Sequence, residues 1–208
     1  MGNVERFMSE RSSAASRNAS YDHCFNYFRE HFERCCVKEL SNGAQLQLSC
    51  LHLGFYLASW GMFRGKAALL QHSFTALVPV VELISRAPED LWTLDVKDYD
   101  EESIRQILEF RETLAEKVPG GRSDILTSKI MLGVFGCVPA FDRYFRKGSG
   151  LSGFRKHALL EIREYYRANQ DVIESCRSNT IDFEGRALER KYTQAKVVDM
   201  IFFIEGNK

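Results

Sequence analysis

The chain is short of several things that would have assigned it quickly. It has no net charge, 28 basic residues balancing 28 acidic ones over 208 residues. That excludes an undirected coat for nucleic acid but leaves room for a local basic patch, because local potential matters more than the total. It has no apolar leader: MGNVERFMSERSSAASRNAS lacks an h-region, so no secretory signal is expected. Gly2 is not followed by the early Ser of a myristoylation site. No uninterrupted apolar run approaches the length of a membrane span, and the expectation is a soluble cytoplasmic protein. The six cysteines (Cys24, Cys35, Cys36, Cys50, Cys137, Cys176) form no CxxC pair, and the five histidines no HxxxH or HExxH. Neither a disulfide framework nor a metal or other cofactor is therefore expected, and the thiols read as reduced and mostly buried. Period-two alternation between turn residues is missing, as is any internal repeat.

What is present is helical periodicity. Residues 1–19, rich in Ser, Arg and Asn, read as a flexible arm, and 20–208 as one helical domain of about eight helices. Ser20 is placed as the N-cap of a helix running to Leu40, with Tyr21, Phe25, Phe28 and Phe32 as its apolar stripe. Ala44 to Ser59 is apolar nearly all round and is expected to be buried on every side. It leads into Trp60-Gly61-Met62-Phe63-Arg64-Gly65, where Trp60 and Arg64 beside flexible backbone suggest a ligand-facing loop; a helix joint with a snorkelling Arg fits the same residues. A helix over 67–86 is expected to kink at Pro79. Further helices are expected at Asp100–Lys117, Leu151–Cys176 and Phe183–Phe203, with no sheet.

The most constrained stretch is SKIMLGVFGCVPAFDRYFRK, residues 128–147. An apolar helix ends at Phe135-Gly136, a turn carries Pro139, and a new helix is expected from about Ala140 with Asp142 in its first turn. A carboxylate there faces the positive end of the helix. Lys129 lies thirteen positions upstream. A buried helical hairpin with a capping Asp and solvated basic residues fits the same residue types.

Together with the preceding VPGGRSDILTSK, these residues resemble the helix-hairpin-helix DNA glycosylase superfamily. The order Phe135-Gly136, Pro139, Asp142, Arg146 is similar to the family's text around its catalytic Asp. The Ser128-Lys129 helix followed by Pro-x-x-Asp is closest to the oxoguanine-glycosylase-like branch. The match spans about thirty residues and departs from the pattern: Pro119-Gly120-Gly121-Arg122 is not the usual hairpin, and Phe-Asp-Arg-Tyr replaces Val-Asp-Thr-His. The resemblance implies excision of a flipped-out damaged or modified base from double-stranded DNA, with glycosylases of modified phage cytosine in bacterial defence as an associated setting. It implies Asp142 as the carboxylate at the sugar and Lys129 as a Schiff-base lysine. It also implies Trp60, Phe63, Arg64, Tyr144, Tyr21 and His23 as base-pocket residues. Arg122, Arg143, Arg146 and Lys147 would then be phosphate contacts. The competing class is a non-catalytic all-α interaction module.

Overall fold

The aromatic stripe that begins at Tyr21 sets the core. In the computed structural model, which describes residues 16–208, it lies on α1 (Ala19–Glu33), with Tyr21, Phe25 and Phe28 buried. The helix ends earlier than its periodicity suggests. Cys35 turns left-handed at φ 55°, and the amides of Cys35 and Cys36 bond back to the carbonyls of Phe32 and His31. Such paired closure satisfies the last carbonyls and stops the helix; a 3-10 turn, Val37–Ser41, follows. Ser20 is inside the first turn rather than at the cap, which is Asn18.

Nine more α-helices follow among the described residues: α2 (Gly43–Ser59), α3 (Val78–Ile84), α4 (Glu89–Thr93), α5 (Glu101–Lys117), α6 (Asp124–Val134), α7 (Arg143–Ser149), α8 (Lys156–Ala168), α9 (Gln170–Ser175) and α10 (Gln194–Gly206). The class is all-α, as the periodicity implies. Four more expectations are corrected. α2 is not buried all round: Leu48, Leu51 and Phe55 are exposed on one face. The span 67–86 is two 3-10 turns (Ala68–Gln71, Phe74–Leu77) and then α3, with Pro79 in its first turn, where a missing N–H leaves no bond unmade. The long helix over 151–176 divides at Asn169 into α8 and α9, and the helix expected from Phe183 is instead a small antiparallel hairpin, β1 (Asn179–Ile181) with β2 (Ala187–Lys191), leading into α10.

One apolar cluster runs through these elements. α6, buried from Leu126 to Val134, packs against α1, α2 and α5. Its exit is fixed by Gly136 at φ 67°, where a Cβ would stand 2.7 Å from Thr193 and 2.9 Å from the Phe25 ring. The tightest helix pair is α7 against α10. A Cβ on Gly148 would lie 2.0 Å from the Phe202 carbonyl and one on Gly206 1.9 Å from that of Tyr144, so only glycine permits this crossing. The crossing sets α7 against the second half of α10 and the turn before α7, Ala140 to Asp142, beside Lys196 and Asp199.

Candidate functional site

The residues that meet there are four charges. Lys129 on α6 and Asp142 at the head of α7 pair at 3.0 Å, with side chains 4% and 15% exposed. Lys196 and Asp199, one turn apart on α10, pair at 3.1 Å, also almost wholly buried. All four line one small cavity of about 10 Å3 with Tyr56, Trp60, Leu132, Ala140 and Phe203. That volume holds about one water molecule.

Local sequence explains each placement. Asp142 has extended backbone and caps α7 rather than sitting in its first turn: Oδ1 accepts from the amides of Tyr144 (2.9 Å) and Phe145 (3.0 Å), and Oδ2 faces Lys129. Its carboxylate therefore serves both readings of the motif, the cap and the member of a charged cluster. Ser128, the residue before Lys129, takes the Phe141 amide (2.8 Å) and ties the two helices together. Asp199 Oδ1 accepts the Ala140 amide at 3.0 Å, so both Asp residues hold the same turn. Burial raises the Asp199 carboxyl above its ordinary range, opposed by Lys196. Burial, with Asp199 nearby, raises the Tyr56 phenol in the same way.

Trp60 covers the cluster. Its ring centroid is 5.5 Å from both lysine Nζ atoms, and its Nε1–H donates to Ser20 Oγ at 3.0 Å. Arg17 lies on its ring at 4.8 Å and donates to the Ser59 carbonyl. Of the arm's arginines this is the only one among the described residues; Arg6 and Arg11 lie outside them. Tyr21 lies at the Lys196 ammonium, 4.6 Å from its ring. Tyr144 packs edge-on to Phe203 and accepts from Arg143.

The other sequence candidates lie elsewhere. Phe63 packs against Phe74, and the exposed Arg64 folds back over Gly61. His23 packs beside Phe183 with the two rings tilted. Arg122 is exposed and 3.4 Å from Glu112. Arg146 reaches the Ser152 carbonyl, and Lys147 is exposed on α7. Of the predicted pocket, the structure thus gathers Trp60, Lys129 and Asp142, with Tyr21 and Tyr144 at its edges; Phe63, Arg64, His23 and Arg122 are not part of it.

Sequence reasoning missed Lys196 and Asp199. The signal was readable: two charges three apart within AKVVDMIFFI, an otherwise apolar helix, where ions are costly unless paired. All six cysteines are free thiols; Cys24, Cys50 and Cys137 are buried and Cys35 is exposed. Among the described residues no group of three or more His, Cys, Asp or Glu could hold a metal, and no helix is long and apolar enough to cross a membrane. No protein-family description, curated protein or solved structure matches the chain.

Proposed function

We propose that the protein is a DNA glycosylase that hydrolyses the N-glycosidic bond of a flipped-out damaged or modified base. The observation that carries this reading is the Asp142 carboxylate, fixed at a helix start by two amides and turned toward Lys129 beneath an indole. A carboxylate so held can stabilise the positive charge that grows at the sugar as the base leaves. Water adds to C1′, the C1′–N bond breaks, and the base departs with the bonding electrons and takes up a proton. Lys129 orients Asp142; it could attack C1′ only after giving up both its proton and its carboxylate. Arg143, Arg146 and Lys147 on α7 would meet the backbone of double-stranded DNA, with the salt dependence such contacts carry. Because the cavity admits only about one water, a base enters only if Trp60 and Phe203 swing aside. The association of such glycosylases with modified phage cytosine places hydroxymethylated cytosine among the substrates to try.

A second reading is a non-catalytic interaction module in which the four charges only clamp α6, α7 and α10. The small cavity and the complete pairing of Asp142 favour it.

Duplex DNA carrying uracil, oxoguanine, alkylated bases or hydroxymethylated cytosine, incubated with the protein and then treated with alkali, separates the two. Strand breaks with the wild type and none with Asp142→Asn, still folded by circular dichroism, establish the glycosylase. Breaks without alkali add a lyase step at Lys129. Intact DNA on every substrate leaves the module.

A further inference from the structure

A second cavity, of about 250 Å3, lies at the head of α10, just before Lys196, and takes no part in the proposed reaction. Among its lining residues are five cations, Arg29, Lys97, Arg177, Arg190 and Lys191, against two carboxylates, Glu33 and Asp95. Both carboxylates are committed. Glu33 takes a two-pronged bond from Arg190, at 3.1 and 2.5 Å. Asp95 occupies the start of α10, accepting from the amides of Gln194 (2.7 Å) and Ala195 (2.9 Å), and from Val96 (2.8 Å). Arg177 is matched by Glu174 at 3.1 Å and by the Tyr192 carbonyl. Arg29, Lys97 and Lys191 are left with no carboxylate partner among the described residues.

Arg29 is the telling one. Its guanidinium is drawn in between the rings of Phe25 and Phe32, 5.0 and 5.8 Å away. It donates to the carbonyls of Trp92 and Phe135, and its Nε is buried with no acceptor. A guanidinium withdrawn from water is costly unless an anion meets it, and its planar fork suits a tetrahedral oxyanion. Burial lowers the Arg29 pKa, opposed by Tyr21 and by Glu33, which is itself bonded to Arg190. Lys97 and Lys191 are exposed at the lining, placed to close over what Arg29 holds. The volume falls just below the roughly 300–1,000 Å3 of drug-sized sites, so the occupant is small.

We propose that this cavity binds a small phosphate-bearing anion, with Arg29 as the anchoring donor and Lys97 and Lys191 as the outer cations. The site is independent of the glycosylase reading and would survive its failure.

The test is isothermal titration calorimetry of the full chain with inorganic phosphate and, separately, with deoxycytidine monophosphate, at constant ionic strength set with chloride. Saturable binding of either is expected; tighter phosphate identifies the free ion as the source, and tighter nucleotide identifies a phosphate ester. Arg29→Lys keeps the charge but loses the fork, and should weaken binding by about tenfold. Since Arg29 also anchors two carbonyls, the double variant Lys97→Ala/Lys191→Ala, confined to exposed side chains, is the second probe; about threefold weakening is expected. No saturable heat with either anion at millimolar concentration, or binding unchanged in both variants, overturns the proposal.

Discussion

α10 carries a charged region at each end of its first turns, and the two are built on opposite terms. Beneath Trp60, two lysines meet two aspartates within about 3 Å, almost no volume is left, and every charge has a partner inside the protein. At the head of the same helix five cations face two carboxylates that are already spent, around a cavity of about 250 Å3. The first arrangement is closed and locks three helices together. The second is open and short of negative charge. Internal pairing is what lets ions be buried at small net cost, and its loss is severe; the exposed Lys97 and Lys191 of the open cavity cost little, because water serves them until a ligand does, and only Arg29 is held away from it. The contrast separates charges that hold the fold from charges that wait for a partner.

The largest effect should come from breaking the closed region. Asp142→Asn keeps a good N-cap, since Asn caps as well as Asp. It leaves Lys129, 4% exposed, without its carboxylate, and should cost about 3–5 kcal/mol in urea unfolding at neutral pH. Adding Lys129→Met to the same chain removes the stranded ion and should recover most of that loss. A single variant as stable as wild type would mean the pair is not structural, and the clamp reading would fail.

How much of this was legible follows the range of the forces involved. The Lys129–Asp142 contact could be read because both residues sit within one helix–turn–helix, where local caps and Pro139 dictate the path. Lys196 and Asp199 reach the same point from far along the chain, and only the crossing at Gly148 and Gly206 puts them there. The hairpin escaped notice because β2 is largely exposed and has no apolar alternation. It is held instead by tertiary contacts: the Ile181 amide donates to Asp22, Asn26 donates to the Ile181 carbonyl, and Arg190 pairs with Glu33. Phe63, Arg64 and His23 were grouped with Trp60 by nearness in sequence or by residue type, yet the loop and the outer face of α1 point them elsewhere. The basic cavity left no local signature, since its lining comes from four separate segments.

A second, smaller effect tests the open region by pH. Burial raises the Asp95 carboxyl from 3.8 to about 6, against the pull of its amide bonds and Arg177. Between those values the folded state binds the proton more tightly than the unfolded one, so this group favours folding at low pH and loses that contribution as pH rises through 6. The change should amount to no more than about 3 kcal/mol. Other carboxylates, such as Asp182 and Glu112, titrate the opposite way below their ordinary range, so the comparison must be with Asp95→Asn. Stability of wild type minus that of the variant, measured from pH 4 to pH 7, should fall with rising pH; a flat difference would show that Asp95 does not carry the titration.

The smallest effect sharpens the comparison most. Lys97 is exposed and makes no ion pair among the described residues, so Lys97→Ala should move unfolding stability by less than about 0.5 kcal/mol. Its removal also relieves repulsion with Arg29, Arg177, Arg190 and Lys191 across the cavity, so any shift should be toward greater stability and should shrink with added salt. A lysine so cheap to delete at the head of α10, close to one so costly to unpair beneath Trp60, is what the two kinds of charged region require. A Lys97→Ala loss comparable with Asp142→Asn would place Lys97 in a structural pair after all and remove it from the cations available to a ligand.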